Sequence, residues 1–318
     1  MRIGIDIGGM TVKLGLVDGA EIVAKKVIET DSEKLLPEEV VKNIAVAAIE
    51  LLQENGSTLL DCEAIGIACP GTVDSNTGVV LYSNNIAWED VPILELFGRE
   101  FSSLMEQKPA LALANDADAA ALGEVLYGAA KGKSNAILLT LGTGVGGGVV
   151  MGKKIFSGYM RGGCEPGHMV IDRNGKQCTC GRKGCLEMYA SATALMEMAR
   201  EAAKEHADSL MNELCENDRT KLNGKMIFDA QKQCDAAAVK VIDTYEENLS
   251  IGITNLVNIF RPELVILGGG VSAQKEYLTD ALQERIDKMC FGTNHGDVPR
   301  IVTSQLGNDA GIIGAAYL

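Results

Sequence analysis

The chain predicts an α/β protein of two similar lobes facing a cleft, and two observations carry that expectation. The first is an internal duplication: the opening stretch IGIDIGGMTVKLGLVDGAEIVAKKVIE and the later AILLTLGTGVGGGVVMGKKIFSG each give an apolar strand, a glycine turn and further strands. Ile5-Asp6-Ile7-Gly8 thereby corresponds to Leu139-Thr140-Leu141-Gly142. The second is length, since 318 residues favour two cores of ordinary size over one. The expected boundaries are an N-terminal lobe over 1–114, joined by the C-terminal helix 307–318, and a C-terminal lobe over 115–306.

Taken in order, the first strand and its Gly8-Gly9 turn lead into two antiparallel strands broken at Asp18-Gly19. Pro37 with Glu38 and Glu39 opens a long apolar-periodic helix that ends near Asn55-Gly56, because proline and acids suit the first helical turn. AIGIACPG and ALALA read as strands running into loops, and from Asp116 the pattern ADAAALGEVLYGAA turns helical. The second half continues with alanine-rich helices near 191–206 and 235–260, the latter capped by Asp235. It closes with the strand ELVILGGGV and the helix DAGIIGAAYL, where Asn308-Asp309 reads as a simple cap.

Composition narrows the function. A net charge of -14 argues against nucleic acid, which needs a basic footprint. No apolar run is long enough to span a membrane, and MRIGIDIGG enters a strand without a charged leader, so a cytoplasmic location is expected. Three of the nine cysteines cluster with metal spacing, so no disulfide framework is expected in a reducing compartment; the others, such as Cys62 and Cys234, are expected to be buried.

The cluster lies in GCEPGHMVIDRNGKQCTCGRKGCLE. His168, Cys178, Cys180 and Cys185 supply one imidazole and three thiolates, the closed tetrahedral shell of a structural zinc with no position left for a catalytic water. Glu165 and Glu187 flank this loop of 165–187. A metal-pinned segment would hold both acids near His168 for binding.

Gly142-Thr143-Gly144-Val145-Gly146-Gly147 satisfies GxGxxG, but VVMGKKIF follows where a dinucleotide fingerprint needs a helix. A glycine hairpin instead offers backbone N–H groups to phosphate, and two hairpins could hold one polyphosphate. Asp6 at a strand end beside Gly8-Gly9 could meet the nucleotide's magnesium through water. At the strand–helix junction, Asp116 would be kept ionised by the positive end of its helix, as a general base requires. Asn84 and Asn85, just before the only tryptophan, Trp88, suit sugar hydroxyls.

Together these motifs, with Leu267-Gly-Gly-Gly270 and the terminal GNDAGIIGAA, resemble the ROK family (repressor, open reading frame, kinase) along essentially the whole chain. The resemblance implies the two-lobed ATPase fold of actin, Hsp70 chaperones and hexokinase, and ATP-dependent phosphorylation of a hexose. Glucose to glucose 6-phosphate is the first expectation and N-acetylmannosamine or N-acetylglucosamine the runner-up; a sugar-responsive regulator is disfavoured by charge and by the lack of a preceding helix-turn-helix.

The resemblance makes Asp116 the base. It assigns the sugar to Asn85, Asn115, Glu165, His168 and Glu187, with His168 serving zinc and sugar through its two ring nitrogens. Gly8, Gly9, Thr11, Thr143 and Gly144 would surround the phosphates, and Gly269 and Gly270 would lie by the adenosine. ATP, Mg2+ and structural Zn2+ are the implied cofactors, and a homo-oligomer, dimer or tetramer, the expected assembly. Met10, Cys164, Pro166 and Asp118 depart from the family pattern.

Overall fold

The computed structural model describes residues 1–104, 109–159, 163–292, 296 and 298–318. Contacts divide the chain into two units: residues 1–137, 148–164 and 305–318 form the first, and 138–147 with 165–304 the second.

The first unit begins with β1 (Arg2–Ile7), β2 (Thr11–Asp18) and β3 (Glu21–Glu29), an antiparallel meander with Asp6 opposite Lys13. Ile3, Ile5 and Ile7 of β1 are fully buried, as are Val12, Leu14 and Leu16 of β2. Helix α1 (Pro37–Glu54) follows, and the carboxylate of Glu39 returns to the Leu36 N–H at 2.9 Å. β4 (Ala64–Cys69) pairs parallel with β1. A three-stranded antiparallel sheet of β5 (Thr72–Asp74), β6 (Val79–Ser83) and β7 (Trp88–Val91) then leads into α2 (Ile93–Leu104). β8 (Ala110–Asn115) completes a sheet of order β3-β2-β1-β4-β8 and passes straight into α3 (Asp116–Tyr127), without the loop expected after ALALA.

The duplicated pattern gives β9 (Ala136–Leu141), β10 (Val145–Met151) and β11 (Lys154–Ile155). The second unit then carries α4 (Glu187–Ala190), α5 (Ala192–Glu205), α6 (Leu210–Leu214), α7 (Gly224–Lys232) and α8 (Ala236–Phe260). As expected, Asp235 caps α8, accepting from the Ala238 N–H at 2.8 Å. β12 (Leu264–Gly268), α9 (Glu276–Met289) and β13 (Arg300–Thr303) follow, and the second sheet has the order β11-β10-β9-β12-β13.

The last helix, α10 (Ala310–Ala316), belongs to the first unit. It lies backbone-close on β1 and β4, because a Cβ at Gly4 would sit 1.9 Å from the Ile312 carbonyl and one at Gly66 would sit 1.7 Å from that of Ala315. It meets α3 the same way: a Cβ at Gly314 would fall 1.6 Å from the Ala119 carbonyl. That packing groups α3 with the first unit by contact, although the sequence reading began the second lobe at residue 115.

Two local expectations change. Cys62 is buried, but Cys234 is exposed; it occupies a left-handed position (φ 62°) just past the end of α7, where the chain turns at the surface. Asp309 precedes α10 without making a capping hydrogen bond, and its carboxylate instead pairs with Lys25 of β3. Among the described residues no helix is long and apolar enough to cross a membrane.

Candidate functional site

In the first unit the glycine turn after β1 is closed by the Gly8 N–H donating to the Thr11 carbonyl at 2.9 Å. Thr30, almost fully buried, ties it from the far end of β3: its hydroxyl donates to the Gly8 carbonyl at 2.7 Å and its N–H to the Met10 carbonyl at 2.9 Å. Met10 is therefore used through its backbone, and its side chain stands in solvent. The Asp6 carboxylate lies 3.5 Å from the Lys13 ammonium across the β1–β2 ladder. Burial raises the Asp6 carboxyl above its ordinary value, and Lys13 opposes the rise. Neither Thr30 nor Lys13 was marked by sequence reasoning; only the two-residue alternation of β2, counted from Asp6 through the turn, could have pointed to Lys13.

Asn115, not Asp116, is the N-cap of α3. Its Oδ1 accepts from Ala117 N at 2.9 Å and Asp118 N at 3.2 Å, and its Nδ2 donates to the Gly71 carbonyl at 2.9 Å, leaving one amide hydrogen for another partner. Asp116 is the first helical residue. Part of its surface faces solvent, but the carboxylate sits in a crowd of protein atoms, and that burial raises its pKa. The Ala117 N–H at 2.9 Å opposes the rise, while the Asp6 carboxylate adds to it. At this carboxyl, desolvation exceeds the pull of the N-terminal amide, so the net shift from the ordinary value is upward.

The Asn84-Asn85 turn is exposed and sits between β6 and β7, whose cross-strand partners Ser83 and Trp88 are buried. Ser83 Oγ and Trp88 Nε1 have no hydrogen-bond partner among the described residues. Asn85 abuts the first glycine turn, since a Cβ at Gly9 would meet its carbonyl at 3.0 Å. Asp6, Gly8, Gly9, Thr11, Asn85, Asn115 and Asp116 all belong to this unit.

The second unit holds the other group. His168 Nδ1 lies 3.7 Å from Cys178 Sγ, Cys180 Sγ lies 3.5 Å from Cys185 Sγ, and all four candidate ligand atoms fall within 4.8 Å of one another. A tetrahedral zinc with ordinary Zn–N and Zn–S bonds needs edges of about 3.5–3.8 Å, so the donor set fits a closed shell after small shifts. Arg182 braces it, donating to the His168 carbonyl at 2.7 Å. Glu165 precedes and His168 ends a single 3-10 turn, Pro166–His168, in which Pro166 occupies the first position. Cys164, by contrast, reaches back to the Phe156 carbonyl at 3.7 Å.

Glu187 opens α4 two residues after Cys185, and its Oε2 accepts from the Val145 N–H at 3.0 Å. That bond places it against the Gly142–Gly147 hairpin turn. Thr143 and Gly144 lie in the same turn, and Gly269 (φ 83°) brings its backbone against Leu141 at the end of β9. Gly270 opens the 3-10 turn that follows.

Duplicated glycine-turn sheets, a buried carboxylate at a strand–helix junction and a Cys/His cluster define the class: the ATPase fold shared by actin, Hsp70 chaperones and hexokinase. The chain belongs to the ROK family, whose sequence profile matches residues 2–318. It is 36% identical over 317 residues to the glucokinase of Thermotoga maritima, covering 99% of this chain and 96% of that one. The ROK family glucokinase of Streptomyces griseus, solved in complex with glucose and AMPPNP, superposes with a TM-score of 0.80 at 32% identity, covering 99% and 98%. A ROK family transcriptional regulator, a homologue of the E. coli MLC protein, superposes at 0.82 with 26% identity, covering 99% of this chain and 76% of its own.

Proposed function

We propose that this protein transfers the γ-phosphoryl group of ATP to the 6-hydroxyl of glucose. The observation that carries the reading is the near full-length likeness, at 36% identity, to a glucokinase. In the reaction the sugar oxygen forms a bond to phosphorus, the bond from phosphorus to the bridging β–γ oxygen breaks, and ADP leaves. Phosphoryl transfer asks mostly for positioning and charge neutralisation. Asp116 accepts the hydroxyl proton, and the burial that raises its pKa also makes it the stronger base.

Asn85 and the remaining amide hydrogen of Asn115 serve the sugar, as do Glu165, His168 and Glu187. With Nδ1 of His168 turned toward the thiols, Nε2 is left for a hydroxyl. Gly8, Gly9, Thr11, Thr143 and Gly144 receive the phosphates, and Gly269 and Gly270 the adenosine. Asp6 would be the residue that holds magnesium. A magnesium ion held there would supply neutralisation of charge on the transferring phosphoryl group. His168, Cys178, Cys180 and Cys185 hold one structural zinc. The setting is cytoplasmic sugar metabolism, and the assembly a homo-oligomer.

ADP release measured across glucose, mannose, N-acetylmannosamine and N-acetylglucosamine tests the proposal. Glucose is expected to give the highest kcat/KM. Preference for an N-acylated sugar would transfer the assignment to the runner-up, and sugar binding without turnover would make the protein a regulator.

A further inference from the structure

The second glycine hairpin is held at both sides by one short stretch of chain. Gly142 N donates to the Gly144 carbonyl at 3.0 Å and closes the turn; the Gly142 carbonyl accepts from Ala192 N at 2.8 Å. On the other side Val145 N donates to Oε2 of Glu187 at 3.0 Å, the one side-chain contact in this set. Glu187 and Ala192 bracket the step from α4 to α5, which begins just after the cluster cysteine Cys185. Gly144 is shaped to this contact: a Cβ there would lie 2.2 Å from Oε2 of Glu187 and 3.1 Å from its carboxyl carbon. Any side chain at 144 must therefore displace the carboxylate.

We infer that Glu187 is a positioning residue for the nucleotide loop as well as a sugar ligand, so that sugar and nucleotide binding are linked through one carboxylate. The inference rests on the sugar-kinase reading above. A carboxylate has two oxygens and about four acceptor sites, so Oε2 can keep the Val145 N–H while Oε1 takes a sugar hydroxyl. A sugar that orders the Glu187 side chain orders the hairpin with it, and by linkage the nucleotide must tighten the sugar by the same factor. It follows that Gly144 is a glycine on account of the carboxylate beside it, and not only because phosphate must approach the backbone.

The test uses the full zinc-loaded chain and measures affinity for a nonhydrolysable ATP analogue with and without saturating glucose. In the wild type glucose is expected to tighten the analogue by about 5- to 150-fold, the usual range of such coupling. Glu187→Ala should weaken the analogue even without sugar and bring the coupling factor close to one. Glu187→Gln keeps an amide oxygen for Val145, so it should restore the sugar-free affinity while glucose binding stays weak; a merely structural role would not separate the two. Gly144→Ala should weaken glucose binding, although the residue is not a sugar ligand.

A Glu187→Ala chain with wild-type analogue affinity and wild-type response to glucose overturns the inference, as does a Gly144→Ala chain that loses analogue affinity alone. If Glu187→Ala loses zinc or its fold, the comparison of Glu187→Gln with wild type decides: sugar-free analogue affinity as weak as that for glucose overturns the claim. A wild-type chain that phosphorylates glucose but shows no coupling retires this inference and leaves the function standing, whereas one that binds neither ligand fails the underlying reading.

Discussion

The two glycine turns start from the same sequence pattern and are held by different chemistry. The first follows an acid, Asp6, and that acid faces the ammonium of Lys13; the turn itself is tied by a threonine from the end of β3. The second has Thr140 at the corresponding place, and its carboxylate arrives from Glu187, where it faces a backbone N–H. Duplication has kept the backbone and relocated the acid. In the first unit the carboxylates of Asp6 and Asp116 are controlled by burial, which raises the pKa of each. In the second, the Glu187 carboxylate is fixed by a backbone donor, the Val145 N–H. An acid governed by burial suits proton transfer, and one fixed by a backbone donor suits holding a ligand in place.

The sharpest way to break this contrast is Asp116→Asn. The amide oxygen can still accept from Ala117, but the basicity is gone. Turnover in an ADP-release assay is expected to fall by about 10²–10⁴-fold, with sugar and ATP still bound. Stability should move the other way. The folded state raises the Asp116 pKa above 3.8, so between that value and the folded pKa the folded chain binds more protons than the unfolded one, and stability falls as pH rises through that window. Asn cannot ionise, so the variant should be at least as stable as wild type at neutral pH. Wild-type turnover in Asp116→Asn would remove the base from the mechanism.

The same shift sets the pH profile. A base must be ionised, so kcat/KM should drop on the acid side through a limb lying above 3.8. The profile of the wild type, with Asp6 kept in its pairing to Lys13, reads this directly. A limb at or below 3.8 would mean that burial does not govern Asp116.

On the other unit, Cys180→Ser takes one thiolate from the cluster. Zinc content measured on purified protein is expected to fall from about one per chain, since the closed shell needs all four donors. With the segment loosened, His168 and Glu187 lose their positions, and a misplacement of about 1 Å can cost on the order of 10²-fold in kcat/KM. Full zinc content, or wild-type glucose kinetics without zinc, would separate the cluster from the sugar site.

What the sequence disclosed is local. The glycine turns, the Cys178–Cys185 spacing and the Asp235 cap all join residues close along the chain, where periodicity and turn chemistry leave a mark. The missed features are pairings across long separations: Thr30 to Gly8, Glu187 to Val145, and the buried Glu124, which accepts from Gln305 N at 3.2 Å and Leu306 N at 2.8 Å. A side chain that reaches a distant backbone N–H or carbonyl has no period and no fixed spacing to announce it. The upward shift of Asp116 has no mark in the sequence for a related reason, since helix ends are legible there and the crowding around a carboxylate is not.

The smallest expected effect comes from the dipeptide that recurs. Asn308-Asp309 repeats Asn115-Asp116 before a helix, yet Asp309 neither caps α10 nor lies buried; its carboxylate pairs with Lys25 while remaining 40% exposed. Exposed pairs contribute about 0–1 kcal/mol, so Asp309→Asn should lower stability in chemical denaturation by no more than that. Its charge also adds to the burial effect on Asp6, and removing it should ease Asp6 slightly toward ionisation without touching Asp116. Turnover close to wild type is the expected result. A loss as large as that of Asp116→Asn would mean that the dipeptide, and not the burial of one carboxylate, carries the catalytic property, and the contrast drawn between buried and anchored acids would fail.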